Sequence, residues 1–179
     1  MKHFKTLIIA VAALMAFAGT ASASTLTSPE GTTYTGSIVA TSSNSQFHGS
    51  FVTIGCGHSE IKGNVEQHGA GVNAGGKISY WTLNGCNYSM TIKNRGTLAI
   101  DSSNNIVSTG AEIEIHTSVG RCVLTTNNTK VGTLVEGMNA YWSINSAAIP
   151  RTGGNFLCGS TMIWTGSFDF TTPNDLWVD

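Results

Sequence analysis

Short stretches in which apolar and polar residues alternate recur along most of the chain, and they constrain its fold more than any other feature. Ala111–His116 is the clearest case, with an apolar residue at every second position. Because successive side chains of a strand point to opposite faces, its two isoleucines are predicted to face a core. The opposite face would then carry Glu112, Glu114 and His116. The alternation therefore predicts half-buried β-strands.

Other runs share this strand-like length and composition: Thr33–Val39, Phe51–Ile54, Lys77–Leu83, Tyr88–Lys93, Thr97–Asp101, Cys122–Thr126, Val131–Val135, Asn139–Ile144, Thr161–Phe170 and Leu176–Val178. Turn-forming residues separate them, among them Asn84-Gly85, Asn94-Arg95-Gly96 and Thr152-Gly153-Gly154. Strand-length runs at this spacing indicate an all-β protein. We expect a single-domain antiparallel β-sandwich, or a flattened barrel, of about ten strands.

The composition agrees with a β-sheet protein and excludes one class of partner. Thr, Ser, Asn and Gly supply 77 of the 179 residues, and these types suit the solvent-facing positions of strands and turns. Nine Lys and Arg against ten Asp and Glu give a net charge of −1, without a basic cluster in the sequence. A nucleic-acid partner is not expected, because its phosphates require clustered cations.

The first residues have the pattern of a secretory signal peptide. A short basic start is followed by an apolar run from Leu7 to Phe17, too short to span a membrane, and then by small residues around Ala23. We expect residues 1–23 to be a signal peptide and residues 24–179 to form one secreted all-β domain, with 7 − 10 = −3 as its net charge. No membrane span is predicted in the mature chain.

Four cysteines, at positions 56, 86, 122 and 158, predict two disulfides in an exported protein. Four cysteines allow three connectivities, and we favour Cys56–Cys86 with Cys122–Cys158 because these spacings suit links between neighbouring strands. A metal site would need closely spaced cysteine pairs, which this sequence lacks. We therefore predict neither a metal nor a cofactor.

Two patterns of polar residues resemble functional sites only in part. Asp101, Ser103, Asn105 and Glu112 occupy ligand positions of a calcium loop, but isoleucine stands where that loop needs glycine, so an Asn-rich hairpin turn is favoured. His116 shares a strand face with two glutamates and could serve a secreted hydrolase as an acid or base. No Gly-x-Ser-x-Gly elbow supports catalysis, and a solvated strand face is favoured.

The aromatic residues form the candidate binding set: Tyr80, Trp81, Tyr141, Trp142, Trp164 and Trp177. Those facing outward could contact a polysaccharide or a hydrocarbon surface. Two Tyr-Trp pairs are adjacent in sequence, so one ring of each pair must point away from the face that the other takes. We favour the interpretation that the tryptophans fill the core; the alternative is that the aromatic residues form an exposed binding surface.

A set of motifs, dense from about residue 130, resembles the secreted bacterial protein activators of alkane oxidation (the PraA/PraB type). The motifs are Gly132-Thr133-Leu134, Ile149-Pro150-Arg151-Thr152-Gly153-Gly154, Phe156-Leu157-Cys158-Gly159-Ser160, Trp164-Thr165-Gly166-Ser167-Phe168 and Thr172-Pro173. The resemblance implies an exported all-β protein linked to growth on alkanes, surface activity, biofilm or adhesion. It assigns no catalytic residue to this chain.

These observations predict an exported, non-enzymatic protein that acts at the cell surface or in biofilm matrix, with self-association as one mode of action. A module that binds glycans or hydrocarbons is the alternative, and a secreted hydrolase is the least favoured class. The predicted location is extracellular, after transit through the periplasm.

Overall fold

A computed structural model describes residues 23–66, 73–118 and 120–179. The predicted signal peptide lies outside these residues, except Ala23. The described chain contains fourteen strands: β1 (Leu26–Thr27), β2 (Ser37–Ser42), β3 (Ser45–His48), β4 (Thr53–Asn64), β5 (Ala74–Cys86), β6 (Ser89–Asn94), β7 (Thr97–Ile100), β8 (Asn105–Thr109), β9 (Glu112–Thr117), β10 (Gly120–Thr125), β11 (Thr129–Val135), β12 (Tyr141–Gly154), β13 (Thr161–Thr172) and β14 (Trp177–Val178). Apart from one 3-10 turn, Phe156–Cys158, the described elements are all strands. The predicted all-β fold is confirmed. The part of the chain that the structure describes holds no helix with the length and apolarity that crossing a membrane requires.

Eight strand positions close into an antiparallel barrel. The order around it is β13, β3, β4, β5, β7, β8, β11 and β12, which returns to pair with β13. The second and third strands share one position, because both lie between β4 and β13. Closure gives each barrel strand a partner on both sides over much of its length, so few backbone groups are left without a ladder partner.

A second sheet extends from one long strand of the barrel. Beyond the barrel, the last residues of β12 pair with β10, which pairs with β9, which in turn pairs with β6. The inner face of this sheet joins the same hydrophobic core as the barrel. The result matches the predicted sandwich or flattened barrel, with more strands than the ten expected.

The alternation predicted for residues 111–116 is present in β9. Ile113 and Ile115 are buried, whereas His116 is exposed on the outer face. Glu112 is half-buried, and Glu114 is more deeply buried than its outward position predicts, because side chains of the two neighbouring strands cover it.

The longest departure from the sequence prediction lies in β12. We expected a strand over 139–144 followed by a turn at 152–154, but one strand runs from Tyr141 to Gly154. Pro150 fits inside it because the strand has left β11 after Ser143 and joins β10 only at Arg151. Proline has no N–H to donate, and on the side of β12 that faces β11 and then β10 no ladder hydrogen bond is lost at Pro150.

Glycine at position 154 serves close packing rather than chain reversal. Gly154 has φ +86°, and a Cβ atom there would collide with the carbonyl oxygen of Arg121 on the neighbouring strand. The predicted turn at Asn84-Gly85 also lies within a strand, since β5 continues to Cys86 opposite β4. The first long strand begins at Ser37 rather than Thr33.

The two predicted disulfides are present with the favoured connectivity, Cys56–Cys86 and Cys122–Cys158. The first joins residues that lie directly opposite each other on β4 and β5. The second ties β10 to the 3-10 turn that follows β12. Both therefore lie at the end of the molecule where β4 begins and β12 ends.

Candidate functional site

Three tryptophans meet in the middle of the core rather than on the surface. Trp164 has ring-centroid distances of 6.0 Å to Trp81 and 5.2 Å to Trp142, and Phe47 stacks on it at 5.4 Å. Phe168 completes the cluster at 5.2 Å from Trp142. All five rings are buried. This cluster fills the core and leaves little surface for an external ligand.

The tyrosine of each adjacent Tyr-Trp pair points outward, as the strand alternation predicts. Tyr80 and Tyr141 are exposed next to the buried Trp81 and Trp142, and Trp177 on β14 is half-buried. Lys62 lies over the Tyr80 ring, with its Nζ 5.1 Å from the centroid. Of the predicted binding aromatics, these two tyrosines and Trp177 are accessible to solvent. Ligand binding by them stays a prediction.

One end of the molecule, which we call the stapled end, consists of both disulfides and the loops 49–52 and 155–160. The two loops touch: a Cβ atom built on Gly49 would lie 3.2 Å from the carbonyl oxygen of Cys158. Asn155 orders the second loop, because its side chain accepts the N–H of Leu157 at 2.9 Å. Its backbone N–H donates to the carbonyl of Arg121 at 2.6 Å. The second loop is thus held by the Cys122–Cys158 disulfide and by hydrogen bonds, and the first is closed by the Gly49 N–H, which donates to the carbonyl of Val52 at 2.8 Å.

The stapled end presents two large apolar side chains to solvent. Phe51 is 71% exposed and Phe156 is 77% exposed, each at the outer part of one of the touching loops. Exposing a phenylalanine forgoes roughly 1.5–3 kcal/mol of burial. Two such rings on touching loops, one of them anchored by a disulfide, indicate a contact surface.

The opposite end of β12 also carries exposed apolar side chains. Met138, in the turn before β12, is 75% exposed, and Val135 and Tyr141 flank that turn on β11 and β12. The two ends of this long strand therefore both offer apolar contacts, separated by the length of the barrel.

The predicted acidic and basic face of β9 contains an ion cluster around Glu114. His116 Nε2 lies 2.9 Å from Glu114 Oε1, Arg121 Nη1 lies 3.0 Å from Oε2, and Lys93 Nζ lies 3.7 Å from Oε1. These groups come from three strands, β6, β9 and β10. The sequence placed the histidine and the glutamate on one face but did not reveal the two cations, which only strand pairing brings near.

In this cluster the Glu114 carboxylate is an ion paired with neighbouring basic side chains. The hydrogen bond with His116 lowers the pKa of Glu114; desolvation opposes this shift, and the charges of Lys93 and Arg121 reinforce it. A carboxylate held ionised in this way is a weak general base. Among the residues that the structure describes, no group of three His, Cys, Asp or Glu side chains could hold a metal ion.

The region that partly matches a calcium loop forms the β7–β8 hairpin turn. The Asp101 carboxylate accepts hydrogen bonds at 2.9 Å from the N–H groups of Ser103 and Asn105 and from Asn105 Nδ2. Partial burial raises the pKa of Asp101, but these donors and Lys130 outweigh it and hold that pKa below its usual value. Its oxygens thus serve the turn, as the Asn-rich interpretation predicts.

Two concave features lie on either side of β5. Inside the barrel, an apolar cavity of ≈ 70 Å³ is bounded by Leu26, Ala40 and Phe170, among other side chains. Outside, a groove of ≈ 420 Å³ runs between β5 and the segment 92–97. The sequence analysis identified neither feature, because each is formed by strands that only the tertiary structure makes neighbours.

Comparisons with protein-family models, with curated proteins and with solved structures found no match.

Proposed function

We propose that this protein is exported and acts without catalysis, by contact at the cell surface or in biofilm matrix, and that its stapled end is the contacting part. The observation that carries this proposal is the pair of highly exposed phenylalanines, Phe51 and Phe156, on two touching loops, the second of which is anchored by a disulfide. Two disulfides suit an oxidising, extracytoplasmic location. The resemblance to the alkane-oxidation activators points to the same kind of role.

Anchoring matters energetically because flexible apolar loops would lose conformational entropy on contact. The stapled loops are ordered before contact, so more of the burial energy of the two rings is retained. An apolar surface, such as a hydrocarbon droplet or a hydrophobic cell envelope, would cover both rings at once.

Adsorption at a hexadecane–water interface tests the proposal. The double variant Phe51→Ser/Phe156→Ser is expected to need roughly tenfold more protein for half-maximal lowering of interfacial tension, since two apolar contacts are lost. Met138→Ser, a change at the similarly exposed residue of the opposite end, is the control and is expected to adsorb like wild type. Equal adsorption of the double variant and wild type would refute the assignment of the stapled end.

Self-association is a second candidate, favoured by the apolar side chains at both ends of β12. A contact between the stapled end of one copy and the Met138 turn of the next would be heterologous and would propagate into a filament. Light scattering across a concentration series tests this mode. In a heterologous contact, Met138→Ser and Phe51→Ser/Phe156→Ser should each abolish growth, and either variant should cap filaments of wild type. Strictly monomeric wild-type protein at high concentration would contradict it.

A further inference from the structure

The groove outside β5 gathers three cations in a protein with negative net charge. Lys77 lies on one wall, and Lys93 and Arg95 lie on the other, all three exposed. Thr97 adds a hydroxyl, and the half-buried Ile92 supplies apolar surface. The volume of ≈ 420 Å³ falls within the range of small-ligand pockets, about 300–1,000 Å³.

None of the side chains that line this groove is acidic. Beyond the lining, Lys93 approaches Glu114 of β9 at 3.7 Å, Glu112 pairs in register with Asn94, and Glu66 pairs with Gly75. Arg121, which binds Glu114 from the far side, offsets part of this negative charge. The groove is therefore locally cationic, although the chain carries −1 overall.

The turn that carries Arg95 is firmly held against β5. Asn94 Oδ1 accepts the N–H of Gly96 at 3.1 Å, and the carbonyl of Gly96 accepts the N–H of Ile78 at 3.2 Å. Gly96 has φ +66°, a conformation that favours glycine. The backbone that carries the three cations is therefore set before any ligand arrives, which lowers the entropic cost of binding.

We propose that this groove binds a carboxylated polysaccharide, with uronate carboxylates on Lys77, Lys93 and Arg95. The C–H face of a sugar ring would contact Ile92, and a ring hydroxyl would reach Thr97. An arginine fork matches a carboxylate with two parallel hydrogen bonds. This site is separate from the stapled end and does not depend on the function proposed for it.

The chemistry of the groove favours this ligand over other polyanions and over neutral sugars. A neutral glycan would displace water from Lys77 and Arg95 without supplying a counter-charge, at a cost in desolvation. A nucleic acid needs a longer cationic track for its regularly spaced phosphates, and the chain beyond this groove is acidic overall. Isolated carboxylates on sugar rings suit both the small number of cations and the apolar walls.

The test is calorimetric titration of the disulfide-bonded protein with tetragalacturonate at low salt. Lys77→Gln and Arg95→Gln each remove one groove cation, and each is expected to weaken binding by about fivefold or more. Lys130→Gln removes an exposed cation on β11 outside the groove and is the matched control, with an expected change of less than about twofold. Lys93 is left intact because it also contacts Glu114.

Ligand controls separate carboxylate recognition from general stickiness. The fully methyl-esterified tetragalacturonate, which has the same rings without the charges, is expected not to bind. Absence of tetragalacturonate binding, or binding unaffected by both groove substitutions, would overturn the proposal. Equal affinity for the ester would also overturn it, as would tighter binding of a DNA oligonucleotide of the same charge with the same sensitivity to Lys77→Gln.

Discussion

Trp164 donates its indole N–H to Ser45 Oγ at 2.8 Å, joining β13 to β3 inside the barrel. Both residues are buried, Ser45 completely. The indole is also the centre of the aromatic cluster, with contacts to Phe47, Trp81 and Trp142. A single serine thus satisfies the polar atom of the ring around which the core is arranged.

We predict that Ser45→Ala lowers the free energy of unfolding by roughly 1–3 kcal/mol, because the buried Trp164 N–H loses its acceptor. Ser59→Ala on β4 is the matched control. Ser59 is equally buried, but its Oγ has no hydrogen-bond partner within the described residues. Its removal is expected to be neutral or stabilising. Urea unfolding measures both changes, and equal losses in the two variants would contradict the role given to Ser45.

The apolar cavity inside the barrel predicts a stabilising substitution. Ala40 on β2 lines this cavity of ≈ 70 Å³, so Ala40→Val should fill part of it and raise the free energy of unfolding by about 1 kcal/mol. Ala140 is equally buried but does not line the cavity, and Ala140→Val is expected to cost about 1–3 kcal/mol by overpacking. Destabilisation by Ala40→Val would show that the cavity cannot accept added methyl groups.

Each disulfide should contribute strongly to stability. The bonds join cysteines separated by 30 and 36 residues, and loop closure of this size constrains the unfolded chain by roughly 3–4 kcal/mol. Paired replacement by serine of Cys56 with Cys86, or of Cys122 with Cys158, is expected to lower the free energy of unfolding by this amount. Alkylation under native conditions should modify no thiol of the wild type. Labelling of all four cysteines would contradict the presence of both disulfides.

Acidification should weaken the fold through two carboxylates. The pKa values of Asp101 and Glu114 are lowered in the folded protein, so each stabilises it above its unfolded pKa, near 3.9 for Asp and 4.3 for Glu. This contribution is lost as the pH falls through the lower folded pKa values.

Asp101→Asn isolates one of these contributions. At pH 7 it should lower the free energy of unfolding by less than about 1 kcal/mol, because the carboxylate is partly exposed. At a pH below the lowered folded pKa of Asp101, where the wild-type carboxyl is also neutral, the difference should shrink. Glu30→Gln, a change in the exposed turn before β2, is the control and should alter stability at neither pH. A difference for Asp101→Asn that persists in acid would assign its effect to geometry rather than to charge.

Tryptophan emission reports the division between core and surface. Trp81, Trp142 and Trp164 are buried, whereas Trp177 is half-buried on the short outer strand β14. Acrylamide is therefore expected to quench mainly the fluorescence that Trp177→Phe removes. Strong residual quenching in Trp177→Phe would contradict the burial of the cluster.

Much of the architecture could be predicted from short stretches of the sequence. The side-chain parity of Tyr80-Trp81 and Tyr141-Trp142 follows from the two-residue period of a strand, and the structure has the tryptophans inside and the tyrosines outside. The cysteine spacing likewise indicated the correct disulfide pairs. Strand ends were less predictable. Pro150 suggested a turn, yet β12 continues through it, at the point between its pairing with β11 and its pairing with β10.

Alternation, turn residues and cysteine count determined by themselves that the chain forms stapled β-sheets, because these signals depend on neighbours in sequence. Only the tertiary structure decided which surfaces are functional candidates. Phe51 and Phe156 lie more than a hundred residues apart, as do the loops that carry them, and Lys77 meets Arg95 across a groove through strand pairing. Such long-range encounters arise from barrel closure and sheet register, which local sequence patterns do not encode.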